Sequence, residues 1–188
     1  MRILSVLTLA ALAGLAAAQG PAATPPPAAA PAIPSLAAAK ALPKPTKIDF
    51  SIPMKPIKQA DLSFQMLKNR NSLLFYFSPT CGHCQHTYPF IRKFRDKYEK
   101  KGMAFAAIAT GYATPEDIKS FEEVSAEHKL DLLSFQDDTK RFSQIYSTGS
   151  VPLMLLVAPD GTYQTWNASD SVTLAAVETA IKKNLKIK

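Results

Sequence analysis

The two cysteines of the chain, Cys81 and Cys84, lie directly after the apolar run at residues 73–77 and directly before a stretch with helical periodicity. This order predicts a buried strand that leads into the first turn of a helix, with both thiols at the junction. Such a placement indicates a redox site rather than a structural cross-link.

The spacing of the pair supports that interpretation. A disulfide between Cys81 and Cys84 would close a very small loop, so it would remove little entropy from the unfolded chain. Unpaired N–H groups at a helix N-terminus favour an anion, so we expect the pKa of the Cys81 thiol to fall from about 8.5 into the range of roughly 3.5 to 7.5. Cys81 is therefore the predicted nucleophile, and Cys84, one turn further along, is the predicted resolving thiol.

The sequence argues against haem attachment and against zinc binding by the cysteine pair. Haem attachment requires C-x-x-C-H, and Gln85 occupies the histidine position. Zinc could use both cysteines with His83 or His86, but no second C-x-x-C or H-x-x-x-H motif completes a tetrahedron. We expect no metal site and no cofactor other than a redox-active Cys81–Cys84 disulfide.

The N-terminus has the composition of a secretory leader. Arg2 precedes a 16-residue apolar block over residues 3–18, and Ala16 and Ala18 suit a cleavage site. We predict a signal peptide over residues 1–18 and an exported mature chain. An uncleaved membrane tether is the alternative, although the block falls short of the roughly 20 residues that span a bilayer. Export would bring the thiols to client proteins that carry disulfides.

Residues 19–58 are rich in Pro and Ala and then in Lys-Pro pairs, a composition that favours extended, unpacked chain. We predict a linker over this range. Ile48, Phe50 and Ile52 alternate with polar residues, so an edge strand near residues 47–52 would move the domain boundary to about residue 46. Residues 59–188 are sufficient for one domain with a single core.

The formal net charge of the chain is +7. Its lysines are scattered along the sequence rather than interleaved with aromatic residues, which argues against a nucleic-acid surface. The expectation is a solvated basic face, and attraction to acidic clients or membrane surfaces is the alternative.

Hydrophobic periodicity and chain breakers predict alternating helices and strands. Helices are predicted over residues 59–68, from the cysteine pair to about 101, and over 114–128, 138–146 and 172–185; strands are predicted over 72–77, 103–109, 130–135, 151–157 and 162–166. Residues 159–161, Pro-Asp-Gly, predict a hairpin between the last two strands. The alternation predicts an α/β fold with early parallel strands and an antiparallel edge.

This layout resembles that of exported thioredoxin-fold oxidoreductases, in particular the TlpA and ResA branch, over about residues 58–185. Residues 77–84 resemble the family's active-site turn, Pro89 matches the proline of its first long helix, and residues 149–152 resemble its cis-proline loop. The resemblance implies a thioredoxin-like fold in which a central mixed sheet is flanked by helices. A helical insertion would lie between the second parallel strand and the cis-proline hairpin. The resemblance also implies a bacterial periplasmic location.

The same resemblance implies a client-binding site. Client chains of the family pair their backbone with the residue before the cis-proline, which here is Val151 before Pro152. Thr80, next to the first cysteine, is the third implied substrate-binding residue.

Two further features bear on the redox potential and proton transfer. Gly82 and His83 match the Gly-His pair of protein disulfide isomerase, and a histidine there can stabilise the Cys81 thiolate and make the disulfide more oxidising. Thioredoxin carries a buried acid six residues before its first cysteine, and this chain has Phe75 there. Another group or water must therefore accept the proton of Cys84.

These observations predict a thiol-disulfide oxidoreductase that acts on exported proteins through a mixed disulfide on Cys81, resolved by Cys84. Its predicted partners are client proteins with thiols or disulfides and an unidentified redox partner, and not nucleic acid. The direction stays open, because His83 and the Val151-Pro152 pair, which resembles that of the oxidase DsbA, favour oxidation or isomerisation, whereas the TlpA-like layout favours reduction.

The sequence leaves one alternative function open and argues against another. A non-catalytic peptide-binding module of an envelope assembly could use the same groove and is the alternative. A thiol peroxidase would need the pattern P-x-x-x-T-x-x-C, and Leu74 and Ser78 stand in its diagnostic places.

Overall fold

The computed structural model describes residues 45–187 of the 188-residue chain. The predicted signal peptide and most of the predicted linker lie outside the described residues. The strands are β1 Lys55–Pro56, β2 Asn71–Phe77, β3 Met103–Ala109, β4 Leu133–Gln136, β5 Leu153–Val157 and β6 Tyr163–Asn167. The α-helices are α1 Gly82–Tyr98, α2 Pro115–Glu127, α3 Arg141–Tyr146 and α4 Ser171–Asn184, with 3-10 helices at Phe64–Leu67 and Glu99–Lys101. None of the helices in residues 45–187 is long and apolar enough to cross a membrane.

These strands form one mixed sheet in the order β1-β4-β3-β2-β5-β6. The pairs β2–β3 and β3–β4 are parallel, whereas β2–β5, β5–β6 and β1–β4 are antiparallel. Between β3 and β5 the chain inserts α2, β4 and α3. The predicted thioredoxin-like fold is therefore confirmed, including its mixed sheet, flanking helices and helical insertion.

The central strand β2 is buried on both faces, as expected where helices or loops cover both sides of a sheet. Leu73, Phe75 and Phe77 belong to a first core, and Leu74 and Tyr76 to a second. The first core also contains residues of α1, α2 and α4, among them Tyr88, Phe94, Phe121, Val177 and Ile181. The second contains residues of α3 and of the N-terminal segment, among them Ile48, Phe50, Phe64, Phe142 and Tyr146.

Residues 45–58, predicted as the end of the linker, pack against the domain. Ile48, Phe50 and Ile52 are buried in the second core. The alternating segment forms a single β-bridge, from Lys47 to Thr162, and the edge strand lies further on, at β1. The prolines at 53 and 56 lack the N–H that a longer ladder would need, which restricts pairing at this edge. The packed chain thus begins well before residue 59.

Two helix starts differ from the predicted ones, and one predicted end is confirmed. The helix predicted over residues 59–68 is only the 3-10 helix Phe64–Leu67, because its cap, Ser63, lies late in the segment. The helix predicted to end at about residue 101 does so: α1 passes into the second 3-10 helix, which ends before Gly102, whose φ of 93° suits glycine. The N–H groups that start α3 donate to the carboxylate of Asp137 rather than of Asp138.

Candidate active site

The turn with the two cysteines connects β2 to α1. Cys81 is the N-cap residue of α1, with an extended backbone at φ −84° and ψ 114°. Its N–H donates to the Ser78 carbonyl at 3.1 Å, and its own carbonyl accepts from the Gln85 N–H at 3.1 Å. The Gln85 side chain also donates to the Pro79 carbonyl at 3.1 Å. These bonds hold Cys81 at the first turn of the helix, where backbone N–H groups favour an anion.

The two thiols differ in their access to water. Cys81 is half-buried, whereas Cys84 is 0% exposed, and both are free thiols. Burial is the main cause that raises the pKa of Cys84 to about 12. A hydrogen bond from the Ser78 backbone lowers that pKa, while a hydrogen bond and the charge of Cys81 raise it further. At neutral pH Cys84 is therefore a protonated thiol, and Cys81 is the thiol that a second protein can reach.

The surroundings of Cys84 are aromatic rather than acidic. Phe75, at the place of the acid in thioredoxin, stacks on Phe77 with ring centroids 5.2 Å apart. Tyr88 meets Phe75 and Phe77 edge-on at 6.0 and 6.1 Å. Burial raises the pKa of Tyr88, and the charges of Cys84 and Cys81 add to this shift. A low-polarity wall thus lies behind the resolving thiol and keeps it protonated.

The loop before β5 lies at the same edge of the sheet as the thiols. The Val151–Pro152 peptide bond is cis. Leu153 pairs with Tyr76, so this loop adjoins the carboxyl end of β2, where the cysteine turn begins. Pro152 is buried, whereas Val151 is half-buried and packs, like Cys81, against the first core. The structure therefore places the predicted catalytic residues and the Val151-Pro152 pair at the same end of the sheet, beside the carboxyl end of β2.

Thr87 connects α1 to the region that follows the hairpin, and the sequence pattern did not single it out. Its hydroxyl lies 2.9 Å from the His83 carbonyl and 3.2 Å from the Ala168 carbonyl, and it can donate to either. The Ala168 N–H in turn donates to the Pro152 carbonyl at 3.2 Å. A chain of hydrogen bonds thus joins the first turn of α1 to the cis-proline loop. The sequence signal that could have found it is its helical spacing, three residues after Cys84 and four before Ile91.

The remaining predicted site residues lie on the surface around Cys81. Gly82 and His83 are exposed in the first turn of α1, and Thr80 is exposed in the preceding turn. The Thr80 hydroxyl lies 3.2 Å from that of Ser78. A Cβ atom added to Gly82 would meet nothing within 4 Å, so no close packing requires glycine there. Across residues 45–187, no group of three or more His, Cys, Asp or Glu side chains could hold a metal ion.

A groove of about 560 Å³ opens beside Val151. Its walls come from the end of β2, the loop after β3, α3 and the cis-proline loop. The lining residues are Tyr76, Thr110, Tyr112, Ser143, Gln144, Ser147, Gly149, Ser150 and Val151. Tyr112 is 76% exposed, and the ammonium group of Lys140 lies 4.0 Å from its ring centroid. The groove therefore offers aromatic rings and hydroxyl groups next to the residue predicted to pair with client backbone.

The sequence profile of the Redoxin family matches residues 37–162. The chain belongs to the Redoxin family. The match begins within the stretch predicted as a linker and ends just before β6. Comparison with curated proteins gives no match.

Solved structures share the fold of this Redoxin-family chain. A secreted disulfide oxidoreductase from Mycobacterium tuberculosis, homologous to E. coli DsbE, aligns with a TM-score of 0.59 and 15% identity, over 69% of this chain and 93% of that one. A thiol:disulfide interchange protein of the thioredoxin family from Chlorobium tepidum aligns with a TM-score of 0.59 and 13% identity, over 76% and 97%. The thioredoxin domain of a thiol-disulfide oxidoreductase from Bacteroides vulgatus aligns with a TM-score of 0.57 and 20% identity, over 69% and 94%. The predicted resemblance to thioredoxin-fold oxidoreductases is thus confirmed for family and fold.

Proposed function

We propose that this Redoxin-family protein is a thiol-disulfide oxidoreductase that acts on exported proteins through a mixed disulfide on Cys81. The observation that carries the proposal is the contrast between the two thiols. Cys81 is accessible at a helix N-terminus, and Cys84 is buried directly behind it with a raised pKa. An accessible attacking thiol and a protected second thiol are what two-step exchange requires.

In the reducing direction, the Cys81 thiolate attacks one sulfur of a client disulfide. The client S–S bond breaks, a Cys81–client disulfide forms, and the second client sulfur leaves as a thiolate that takes up a proton. Cys84 then loses its proton and attacks the Cys81 sulfur. The Cys81–Cys84 disulfide forms, and the first client sulfur leaves as a thiol. The client gains two electrons and two protons, and the cysteine pair loses them. The oxidising direction is the reverse.

The raised pKa of Cys84 suits this order of events. Two of its causes, the charge and the hydrogen bond of Cys81, require a free Cys81 side chain. When Cys81 enters a mixed disulfide it loses its negative charge, so deprotonation of Cys84 becomes easier at the moment when its attack is needed. The Ser78 backbone continues to stabilise the Cys84 thiolate.

Client binding is proposed for the surface beside Cys81. A client backbone would pair with Val151, with Pro152 shaping the loop and Thr80 on the other side of the thiols. Client side chains would enter the groove that Tyr76 and Tyr112 help to line. Exposed Gly82 and His83 would tune the redox potential. No cofactor other than the cysteine pair takes part in this reaction.

Export is part of the proposal. The leader-like residues 1–18 support it, and the similar Mycobacterium tuberculosis protein is described as secreted. In an exported location, and in the bacterial periplasm in particular, clients with disulfides or oxidisable thiols are available. An unidentified redox partner would restore the cysteine pair after each turnover.

The test is to trap the mixed disulfide with Cys84→Ser. This variant should accumulate covalent complexes with client proteins that a reductant releases, and it should lose multiple turnover. Cys81→Ser is the matched control and should form no such complexes. The non-catalytic peptide-binding alternative is supported instead if Cys84→Ser captures no client. It is also supported if the variant that combines Cys81→Ser and Cys84→Ser retains the same partners without covalent bonds.

The reduction potential of the Cys81–Cys84 pair would show whether the protein oxidises or reduces its clients. Equilibration of the Cys81–Cys84 pair with glutathione should yield a value near that of protein disulfide isomerase, about −180 mV, if His83 favours oxidation and isomerisation. A value below about −250 mV would identify a reductase.

A further inference from the structure

Basic residues are concentrated at one end of the molecule. Residues 92–101, from the second half of α1 and the 3-10 helix after it, and residues 178–187, at the end of α4, contain nine Lys or Arg and three Asp or Glu. We call these two segments the basic pole. The other residues in the range 45–187 contain nine Lys or Arg and twelve Asp or Glu. The formal charge is therefore +6 in the basic pole and −3 over the rest of the described chain.

The fold brings these two segments together. The Lys97 ammonium lies 2.6 Å from a Glu178 carboxylate oxygen, and the Tyr98 hydroxyl donates to the same oxygen at 2.8 Å. Lys97 and Lys101 lie 5.3 and 5.4 Å from the ring centroid of Tyr98. The pKa of Glu178 is lowered chiefly by its hydrogen bond from Lys97, and the charge of Lys182 contributes. The lysines are scattered in the sequence because α1 and α4 are about 80 residues apart, but they are adjacent in space.

Much of this positive charge is not neutralised. The ion pairs found within the basic pole involve Arg92, Arg95 and Lys97. Lys100, Lys183 and Lys186 are exposed and take part in none of the ion pairs found in residues 45–187. Clustered like charges of this kind produce a positive potential that attracts anionic surfaces.

The basic pole lies far from the thiols. Cys81 precedes α1, and the pole begins in its second half and continues beyond its end. At 1.5 Å per residue, the 17 residues of α1 separate Cys81 from Lys101 by about 25 Å or more. A surface that binds the basic pole would therefore leave the thiols and the Val151 groove open to clients.

We infer that the basic pole binds the anionic surface of a phospholipid membrane. Seven of its nine basic residues are lysines, whose compact, hydrated charges suit a diffuse anionic surface better than bidentate recognition of single phosphates. Its aromatic residues, Phe94 and Tyr98, are 2% and 0% exposed, so it offers no platform on which bases could stack. The inference goes beyond the proposed function, because neither thiol takes part in it.

The experiment measures co-sedimentation of the full-length chain with two kinds of vesicle, one an equimolar mixture of phosphatidylglycerol and phosphatidylcholine and the other phosphatidylcholine alone. The leader is present in every sample, so its contribution is common to all. The test variant combines Lys100→Gln, Lys183→Gln and Lys186→Gln. Each lysine near an anionic surface contributes about a factor of five, so this variant should bind the phosphatidylglycerol vesicles on the order of a hundredfold more weakly.

The matched control removes the same charge elsewhere, through Lys55→Gln, Lys119→Gln and Arg141→Gln, which are exposed residues outside the basic pole. It should bind the phosphatidylglycerol vesicles as the wild type does. Both variants should keep the wild-type unfolding midpoint and thiol exchange rate, and added salt should weaken wild-type binding.

Equal binding of the wild type to both kinds of vesicle would overturn the inference. An equal loss of binding in the test and control variants would also overturn it, because net charge alone would then explain the effect. Tighter binding to a DNA duplex than to the phosphatidylglycerol vesicles would assign the pole to nucleic acid instead.

Discussion

The two ends of α1 differ sharply in charge although they share one hydrophobic core. Residues 77–91, from the end of β2 through the cysteine pair, contain no Lys, Arg, Asp or Glu. Residues 92–101 contain eight such residues. The thiol end of α1 therefore lacks acidic, Lys and Arg side chains, and its exposed residues are mostly polar, among them Thr80, His83 and Gln85. The helix N-terminus, burial and the two sulfurs themselves contribute most to its electrostatics. The basic pole has a surface at which charge dominates.

One helix thus carries the thiols at its N-terminal end and a strongly charged surface at its C-terminal end. A charged side chain close to the thiols would change the pKa of Cys84, and on the buried side of this end Phe75, Phe77 and Tyr88 present aromatic rings instead. The basic pole lies between about 16 Å (Arg92) and 25 Å or more (Lys101) further along, where its charge has little influence on the sulfurs, because screening by salt acts over roughly 10 Å.

The largest expected effect comes from replacing a buried aromatic residue of the first core, either beneath the thiol end of α1 or beneath the basic pole. Phe77→Ala and Phe94→Ala each remove a buried ring, at 0% and 2% exposure, and each should destabilise the protein by about 3–5 kcal/mol in urea unfolding. Only Phe77→Ala should also slow thiol exchange in the folded protein, because Phe77 forms part of the wall near Cys84. Equal slowing by Phe94→Ala would show that the two ends of α1 are coupled.

A smaller effect is expected at the hydrogen bonds that connect the thiol end to the cis-proline loop. Thr87→Val removes the buried hydroxyl that can donate to the Ala168 or the His83 carbonyl, and it should cost about 1–3 kcal/mol. Thr179→Val on α4 is the matched control, since that exposed hydroxyl donates at 3.0 Å to the Ala175 carbonyl. The control should change the unfolding free energy by less than about 0.5 kcal/mol. Similar losses in both variants would remove the special role of Thr87.

The smallest effect concerns the ion pair that joins the two segments of the basic pole. Hydrogen bonds from Lys97 and then Tyr98 lower the pKa of Glu178 from its ordinary value of 4.5. The associated stability is present above pH 4.5 and is lost as the pH falls through the lowered value. Glu178→Gln should therefore destabilise the protein at neutral pH, by at most about 1 kcal/mol for a partly exposed pair.

Urea unfolding of the wild type and of Glu178→Gln at a series of pH values checks this prediction. The difference in unfolding free energy should shrink as the pH falls below 4.5. A difference that stays constant at low pH would show that the carboxylate charge does not stabilise the pole.

Much of the fold was predictable because its signals are local. The continuous apolar runs of β2 and β3 identify buried parallel strands, and the Pro-Asp-Gly turn at residues 159–161 identifies the β5–β6 hairpin. The placement of Cys81 at a helix start was predictable because a continuous apolar run ends shortly before it and apolar residues recur at helical spacing after it.

What could not be predicted depends on contacts between distant residues. The alternation of Ile48 and Phe50 with polar residues indicated an edge strand within a stretch of linker composition, but it did not show that these side chains enter the second core together with residues of α3 and β2. Thr87 meets Ala168 across 81 residues, and Lys97 meets Glu178 across the same separation. The sequence shows residues 92–101 as a charged stretch, but only the contact between α1 and α4 adds the lysines at 182, 183 and 186 to the same surface.

The division of labour between the two thiols is tested most directly by alkylation of the reduced, folded protein with iodoacetamide, followed by mass spectrometry to assign each modified sulfur. At neutral pH Cys81 should be alkylated first. Cys84 should stay unmodified until the protein unfolds or the pH approaches 12, the raised pKa of its thiol. Alkylation of Cys84 in the folded protein at neutral pH, at a rate comparable to that of Cys81, would contradict the account.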